Sequence, residues 1–411
     1  MTASPTETTE IQSPLAGLSD EQIEELAREF DAIRDRVRAE LGDRDRRYIE
    51  SMIEMHRRLA VISRVLLLAA NNRPARLAGT AANSAAKILE NMEIGHNVLH
   101  GQWDWMNDPR INSSTWDWDT ASTAEAWKHS HNYIHHTFTN IRGKDKDLGY
   151  EIMRIDPEQK WHPVYLLQPF YNLVLAAFFE WGVAFHDLDF EAIRKGEKSK
   201  RQVKRELAGI REKAKSQIVK DYIAWPLLSG LATAAVELGL ESLPARRGKS
   251  SWVDRLRRAA GKGAKSYRSA AVANASANVV RNVWAYAIIF CGHFPDQTYT
   301  FSQAEVEDES PGAWYVRQLV GAANIEGSPF FHVASGNLGY QVEHHLFPDL
   351  PSTRYAEIAP QVKDVCARYG LPYNSGPFSQ QLGMVQRTIL RLAFPGGKAR
   401  PKPGPYRPDG A

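Results

Sequence analysis

Thirteen histidines occur in the chain, and most fall in three short clusters. The first is His96-Asn-Val-Leu-His100; the second is His131-Asn-Tyr-Ile-His135-His136, with His129 just before it; the third is Gln341-Val-Glu-His344-His345. In each, the terminal residues are four apart, so on a helix they project from one face at adjacent turns. Two imidazoles placed this way can reach one metal ion. A doubled histidine lets one ring serve that ion while its neighbour points toward a second. A lone HxxxH is common on surface helices, but two further clusters ending in His-His are hard to ascribe to chance. No cysteine stands within the ligand spacing, which excludes thiolate-rich iron–sulfur and structural zinc sites. Imidazole suits zinc, copper, iron and nickel alike. Seven clustered histidines are too many for one tetrahedral zinc and suit a two-metal site with open positions. Reduced iron with imidazole ligands and open positions activates dioxygen, so the chemistry suggested is oxidation of an unactivated C–H bond.

The elements that must carry these clusters are apolar stretches of unequal quality. Residues 163–185 form the best, with one charge in 23 residues, long enough for ~30 Å of hydrocarbon. Residues 222–240 contain Glu237, 271–292 carry Asn274, Asn278, Arg281 and Asn282, and 77–95 carry Lys87, Glu90 and Glu93. Residues 59–70 are apolar apart from Arg64 and end in a turn at NNRPAR. Polar residues at membrane depth are costly and face a protein interior or a site. Buried helices of a soluble all-α protein are the alternative.

At the N-terminus, Ser19 and Gln22 suggest a capping box ahead of an amphipathic helix with Ile23, Leu26, Phe30, Ile33 and Val37 on one face. The expected organisation is a disordered tail over 1–16, one domain over 17–393 and a disordered Pro/Gly-rich tail over 394–411. Residues 1–16 lack a basic region followed by an apolar one, so no signal peptide is expected.

Composition adds limits. Lys plus Arg exceed Asp plus Glu by 51 − 48 = 3, and the mean hydropathy is −0.42. An apolar share of 43% excludes collagen and wholesale disorder. Two isolated cysteines, Cys291 and Cys366, point to a reducing compartment. Eleven Lys/Arg against four acids fall in 191–220, and nine against two in 241–270. No zinc-finger, RNP-like or helix-turn-helix signal accompanies them, so nucleic acid is not expected. An anionic membrane surface or a phosphorylated substrate fits better.

From about Lys87 to Ser375 the chain resembles the integral-membrane fatty acid desaturases with their three histidine boxes. The resemblance is carried by ENMEIGHNVLHGQWDWMNDP, HNYIHHTFTNIRGKDKDLGY, CGHFPD and SGNLGYQVEHHLFPDLP. Gln341 in place of the first histidine of the third box is the pattern of acyl-CoA and acyl-lipid desaturases. The resemblance implies an all-α fold, an integral-membrane helical bundle of about four spans with a cytosolic helical cap holding a di-iron site. It makes His96 and His100 box one, His131, His135 and His136 box two, and His344 and His345 box three. It adds His293, just after the last span, as a further ligand, and Asn337 as completing the second iron's shell directly or through water. Gln341 either ligates or only hydrogen-bonds. Glu93, Asn97, Asn132, Asn140, Asp145, Asp147 and Glu343 are candidates to orient the ligand rings. His129, His56, His162, His186 and His332 are expected to be ordinary polar or interfacial residues.

The implied reaction is oxygen-dependent desaturation of an acyl-CoA or acyl-lipid at two iron ions, with electrons from a separate ferredoxin, rubredoxin or flavin reductase. No HPGG heme-binding signature marks a fused donor. Trp103, Trp105, Trp116 and Trp118 are expected to line the acyl tunnel or the membrane interface. Lys200, Arg201, Lys204 and Arg205 are expected to meet coenzyme A phosphates or anionic lipid. The implied location is the bacterial cytoplasmic membrane, with the active site and both termini cytosolic. The positive-inside rule is not fully met by any pairing of spans; 222–240 with 271–292 fits better, leaving 163–185 interfacial or re-entrant. The alternatives are a histidine-box hydroxylase, ketolase or alkane monooxygenase, a non-enzymatic metal-binding protein, and an inactive desaturase with over-polar spans.

Overall fold

The computed structural model describes residues 14–242, 251–396 and 401–408. The expected N-terminal tail lies outside these residues over 1–13, as does the C-terminal end over 409–411. Helices dominate; the only paired strands among the described residues are Asn324–Glu326 and Ser375–Pro377, parallel and three residues each.

Helix α1 (Asp20–Ala39) begins with the expected capping box between Ser19 and Gln22. Its buried face, Leu26, Phe30, Ile33 and Val37, packs into the cap against Tyr315, Phe347 and Val362. That face therefore sits in the protein body.

Helices α2 (Asp43–Leu68) and α3 (Arg73–Ile88) form an antiparallel hairpin, with Asn72 capping α3 through Ala75 N at 3.1 Å. A second hairpin pairs the continuous helix Lys200–Glu241 with helix Trp252–His293. Both run away from the cap and return. Gly230 and Gly263 let these two backbones touch: a Cβ on Gly230 would lie 2.9 Å from Gly263 O. Ser229 Oγ donates to Leu67 O at 2.6 Å, joining the hairpins.

Polarity in this bundle is inverted. Asn83, Lys87, Asp221, Ser266, Asn274, Arg281 and Asn282 are buried, whereas Val61, Val65, Ile223, Leu227, Leu231, Val272 and Val279 are exposed. About four crossings were expected; among the described residues one helix, Lys200–Glu241, is long and apolar enough to cross a membrane. The preferred pair of spans is also out of step. Tyr267 OH donates to Tyr222 O, so 222–240 lies beside the charged first half of Trp252–His293. The later half instead follows α3, where Asn83 donates to Asn274 at 3.1 Å, and enters the cap.

The most apolar stretch, 163–185, folds as a short 3-10 turn and two helices, Gln168–Ala177 and Phe179–His186, broken at Phe178. Ten and eight residues reach only ~15 and ~12 Å, so neither helix crosses a bilayer. Val164, Leu167, Phe170, Leu173, Phe178 and Phe185 are exposed on it. Glu180 is the reason it lies against the bundle: it pairs with buried Arg281 and accepts from Gln217 Nε2 at 2.7 Å.

Within the tail expected over 394–411, the described residues 401–408 lie against the cap. Tyr406 N donates to Leu371 O at 2.9 Å, its ring meets Tyr373, and Lys402 donates to Thr298 O.

Candidate metal centre

Two long helices and two short segments meet at one place and deliver the histidines. Helix α3 continues into a wide i→i+5 turn over Leu89–His96, then one α turn, Asn97–Leu99. The second box sits on a like segment, Lys128–His135, followed by His136–Phe138. Such π turns are rare and concentrate at functional sites. Helix Trp252–His293 supplies its last residue, and the short helix Gln341–Leu346 supplies His344 and His345. Asn132 Nδ2 donates to Leu99 O at 2.8 Å, tying the second box to the end of the first.

The rings converge in two groups. Ligand atoms of His96, His100, His131 and His344 lie within 4.8 Å of one another, as do those of His135, His293 and His345. In the second group, His293 Nε2 is 3.1 Å from His135 Nε2 and 2.9 Å from His345 Nε2. His136 stands between the groups, its ring 4.8 Å from His100 and 4.7 Å from His345. All eight sequence-selected histidines are thus brought together.

The backs of six of the eight rings are tied to acceptors, which favours one tautomer. His135 Nδ1 faces Asp145 Oδ1 at 3.1 Å, His293 Nδ1 faces Ile289 O at 2.7 Å, and His345 Nδ1 faces Gln318 Oε1 at 3.0 Å. His344 Nδ1 faces Tyr355 OH at 3.2 Å, which itself donates to Phe347 O. His96 Nδ1 faces Asn97 Oδ1 at 3.0 Å, and His131 Nδ1 faces Asp147 Oδ2 at 3.4 Å. With Nδ1–H donated outward, each Nε2 lone pair is left pointing inward. Buried polar atoms ordinarily have partners. Here His100, His131 and His344 Nε2, both ring nitrogens of His136, and Gln341 Oε1 have none. Unpaired acceptors aimed at a common interior, with no thiolate among them, fit imidazole-bound metal.

The electrostatics agree. Burial, reinforced by neighbouring imidazoles, holds His100, His136, His344 and His345 well below the ordinary histidine range, and burial pushes His96 and His293 down to about 3. Neutral rings are the form that ligates. His135 is the exception: burial opposes its charge, but Asp145 and Asp147 raise it.

Of the other selected residues, Asn97, Asp145 and Asp147 back ligand rings, whereas Glu93, Asn140 and Glu343 bind elsewhere. Glu93 accepts from Tyr48 OH, Ser352 Oγ and Asn337 Nδ2. Asn337 is left-handed (φ 56°) and its amide nitrogen is held by Glu93 at 3.0 Å. Gln341 Nε2 lies 3.5 Å from His293 Nε2, and a Cβ on Gly292 would come within 2.8 Å of Gln341. Trp103 is buried against Ile49 and Met52 and stacks on Tyr48, with Trp105 packed beside it, away from the rings. Lys200 and Arg201 are exposed at the start of their helix.

Sequence reasoning passed over four participants. Gln318 and Tyr355 orient His345 and His344. His186 reaches Asp147 Oδ1 at 3.0 Å, and Trp127 stacks on His131 with centroids 4.6 Å apart. A cavity of about 50 Å³ opens beside both groups, with Trp127, Tyr150, Val183, Ile289, Phe294 and Leu338 as its apolar wall.

A fatty acid desaturase family model matches residues 77–377. A Mycobacterium tuberculosis protein named NADPH-dependent stearoyl-CoA 9-desaturase is 43% identical over 380 residues, 92% of this chain and 82% of that protein. A Synechocystis protein named sn-1 linoleoyl-lipid 6-desaturase is 25% identical over 74% of this chain and 76% of its own. Human fatty acid desaturase 3 is 34% identical over 113 residues, 28% of this chain and 24% of that protein. No solved structure matches with significance. The chain belongs to the fatty acid desaturase family. It is an oxidoreductase that introduces double bonds into fatty acyl chains, and its histidine groups fit metal binding.

Proposed function

We propose that the chain is an oxygen-dependent desaturase of a long-chain acyl thioester, stearoyl-CoA, acting at carbon 9. The observation that carries the reading is the convergence of eight imidazoles, seven of them buried and several without partners, on a small apolar-walled cavity. The substrate and position follow the name of the mycobacterial relative.

Two iron ions would be held by His96, His100, His131 and His344 on one side and His135, His293 and His345 on the other, with His136 between and Gln341 and Asn337 completing the shells. Bound there, iron supplies dioxygen activation. In balance, two hydrogens leave adjacent methylenes, two electrons and two protons enter, and dioxygen leaves as two waters.

The chain's own part is positioning. Asp145, Gln318, Tyr355, Asn97 and the Ile289 carbonyl hold the rings and keep Nε2 free. Trp127, Val183, Ile289 and Leu338 exclude water and hold a methylene segment beside both groups. The inverted polarity of the hairpins and the exposed apolar face of 163–186 support a membrane seat. The helix Lys200–Glu241 would cross through its apolar second half, with the basic first half, Lys200 and Arg201 included, and the cap on the cytosolic side. Electrons come from a separate ferredoxin, rubredoxin or flavin reductase.

The test is turnover by the purified, iron-loaded protein with dioxygen and reductant, offered stearoyl-CoA or a stearoyl glycerolipid. Loss of one hydrogen from each of carbons 9 and 10 of the thioester's acyl chain is expected. A hydroxylated product, or turnover of the glycerolipid alone, would contradict the proposal.

A further inference from the structure

The tail over 401–408 makes two anchored contacts, and each lies one step behind a segment that carries a ligand histidine. No helix or strand forms over 401–407, and prolines at 401, 403, 405 and 408 fix φ at about −65°. Such a segment has little backbone freedom left to lose when it docks.

Lys402 makes the first contact. Its side chain is half-buried, and Nζ donates to Thr298 O. Thr298 Oγ1 in turn donates at 2.9 Å to the carbonyl of His293, the last residue of the Trp252–His293 helix. The final carbonyls of a helix lack intrahelical partners, and a cation beside them is favoured. Lys402 Nζ also lies 5.4 Å from the centroid of the Tyr299 ring, and Tyr299 N donates to Val320 O at 3.1 Å. Burial pushes the Lys402 amine down to about 8 while Asp156 and Asp296 oppose it, so the group is still mostly charged at neutral pH. Lys402 and His293 line one cavity of about 40 Å³, and His293 and Phe294 stand between it and the reaction cavity.

Tyr406 makes the second contact. Its N–H donates to Leu371 O at 2.9 Å, and its ring meets Tyr373 with centroids 5.7 Å apart. Tyr373 OH donates to Glu343 Oε1 at 2.7 Å, and Glu343 directly precedes His344 and His345. Asn324 joins them: its Nδ2 donates to Glu343 Oε2 at 2.8 Å, and its Oδ1 accepts from Val342 N at 2.8 Å. His293 and His345 belong to one group of rings, their Nε2 atoms 2.9 Å apart.

We propose that the tail is a strap that sets this histidine group. Lys402 is the positioning residue, fixing His293 through Thr298, and Tyr406 anchors the strap against the base of the third box. The inference rests on the metal-centre reading above and adds the tail to it.

The experiment uses the full-length protein in detergent, stripped of metal, and has two readouts. The first is hydrogen exchange, which needs no metal. In Lys402→Met the Thr298 and Tyr299 amides should exchange about tenfold faster. Lys402→Arg keeps a donor and a cation over Tyr299, so it should restore most of the protection. The second is anaerobic titration with ferrous iron alone. Lys402→Met should bind iron about tenfold more weakly, with Lys402→Arg near the native value. Tyr406→Ala, which frees the far anchor, should fall between native and Lys402→Met. Arg407→Ala, exposed in the same tail, should match the native chain in both readouts. With stearoyl-CoA, Lys402→Met should lower kcat and hold KM. A cation acting through its charge alone would repel the metal, so tighter iron binding by Lys402→Met would overturn the proposal. Unchanged iron affinity in that variant, or equal loss in Lys402→Arg, would overturn it too. Faster exchange in Lys402→Met, with a native chain that binds no iron, counts against the metal centre and not against the strap's hold on the turn.

Discussion

Replacing His344 by alanine is expected to abolish desaturation and, on the two-iron site proposed above, to remove about one of the two ions per chain. His344 is fully buried, and its Nε2 has no protein partner although His96, His100 and His131 crowd around it. Its back is fixed by Tyr355 OH, which also accepts from Gln102 Nε2 at 3.0 Å. Tyr355→Phe keeps the ring and removes only that hydroxyl, so it should lose about 10–100-fold in metal affinity or activity, less than His344→Ala. His129→Ala is the control: His129 is exposed and stacked on Tyr133, and its loss should leave activity intact. Metal analysis and product assay on the three variants check the ordering. Retained product in His344→Ala would remove this residue from the site.

The second large effect concerns stability. Asp221 is fully buried in the π turn Val219–Ala224 and receives both Lys87 Nζ at 2.9 Å and Arg64 Nη2 at 3.1 Å. Asp221→Ala leaves two cations facing a buried void, and breaking such a pair costs about 3–5 kcal/mol. Lys87 keeps Asp119 at 3.3 Å, whereas Arg64 keeps the neutral Asn274 Oδ1 at 3.0 Å and the face of the Trp225 ring, 4.9 Å from its guanidinium carbon. By contrast, the exposed pair Glu54–Arg58 is an i,i+4 contact, so Glu54→Ala should cost about 0.3–0.5 kcal/mol. Unfolding midpoints in detergent measure both. Equal midpoints for the two variants would show that the polar interior of the hairpins is not a stabilising ion-pair network.

The difference between these residues and the histidines explains what was legible in the sequence. HxxxH and His-His are local patterns, and helix geometry alone turns them into a common face, so the ligand candidates were visible. Partners drawn from distant segments were not. Gln318 and Tyr355 carry no periodic signature, and only the folded cap sets them behind His345 and His344. His186 looked isolated because its partner, Asp147, is 39 residues away. Among the tryptophans, Trp103 and Trp105 lie near the first box in sequence, but the chain turns them onto α2, and Trp127 takes the place against His131.

The spans were harder for a different reason. Hydropathy scores residues without their partners, so 163–185 outranks the rest. Its one charge, Glu180, draws the segment onto Arg281, and the helix breaks at Phe178. Conversely, the Trp252–His293 helix looks too polar because its asparagines and Arg281 face inward. The low mean hydropathy thus reflects a polar bundle interior as well as charged connections.

The most direct measurement is mass spectrometry of acyl chains from a host that lacks desaturation and expresses this protein, beside the same host expressing His344→Ala. The account predicts chains lighter by two hydrogens with the native protein and none with the variant. Chains heavier by one oxygen, or equal amounts of unsaturated chain in both strains, would contradict it.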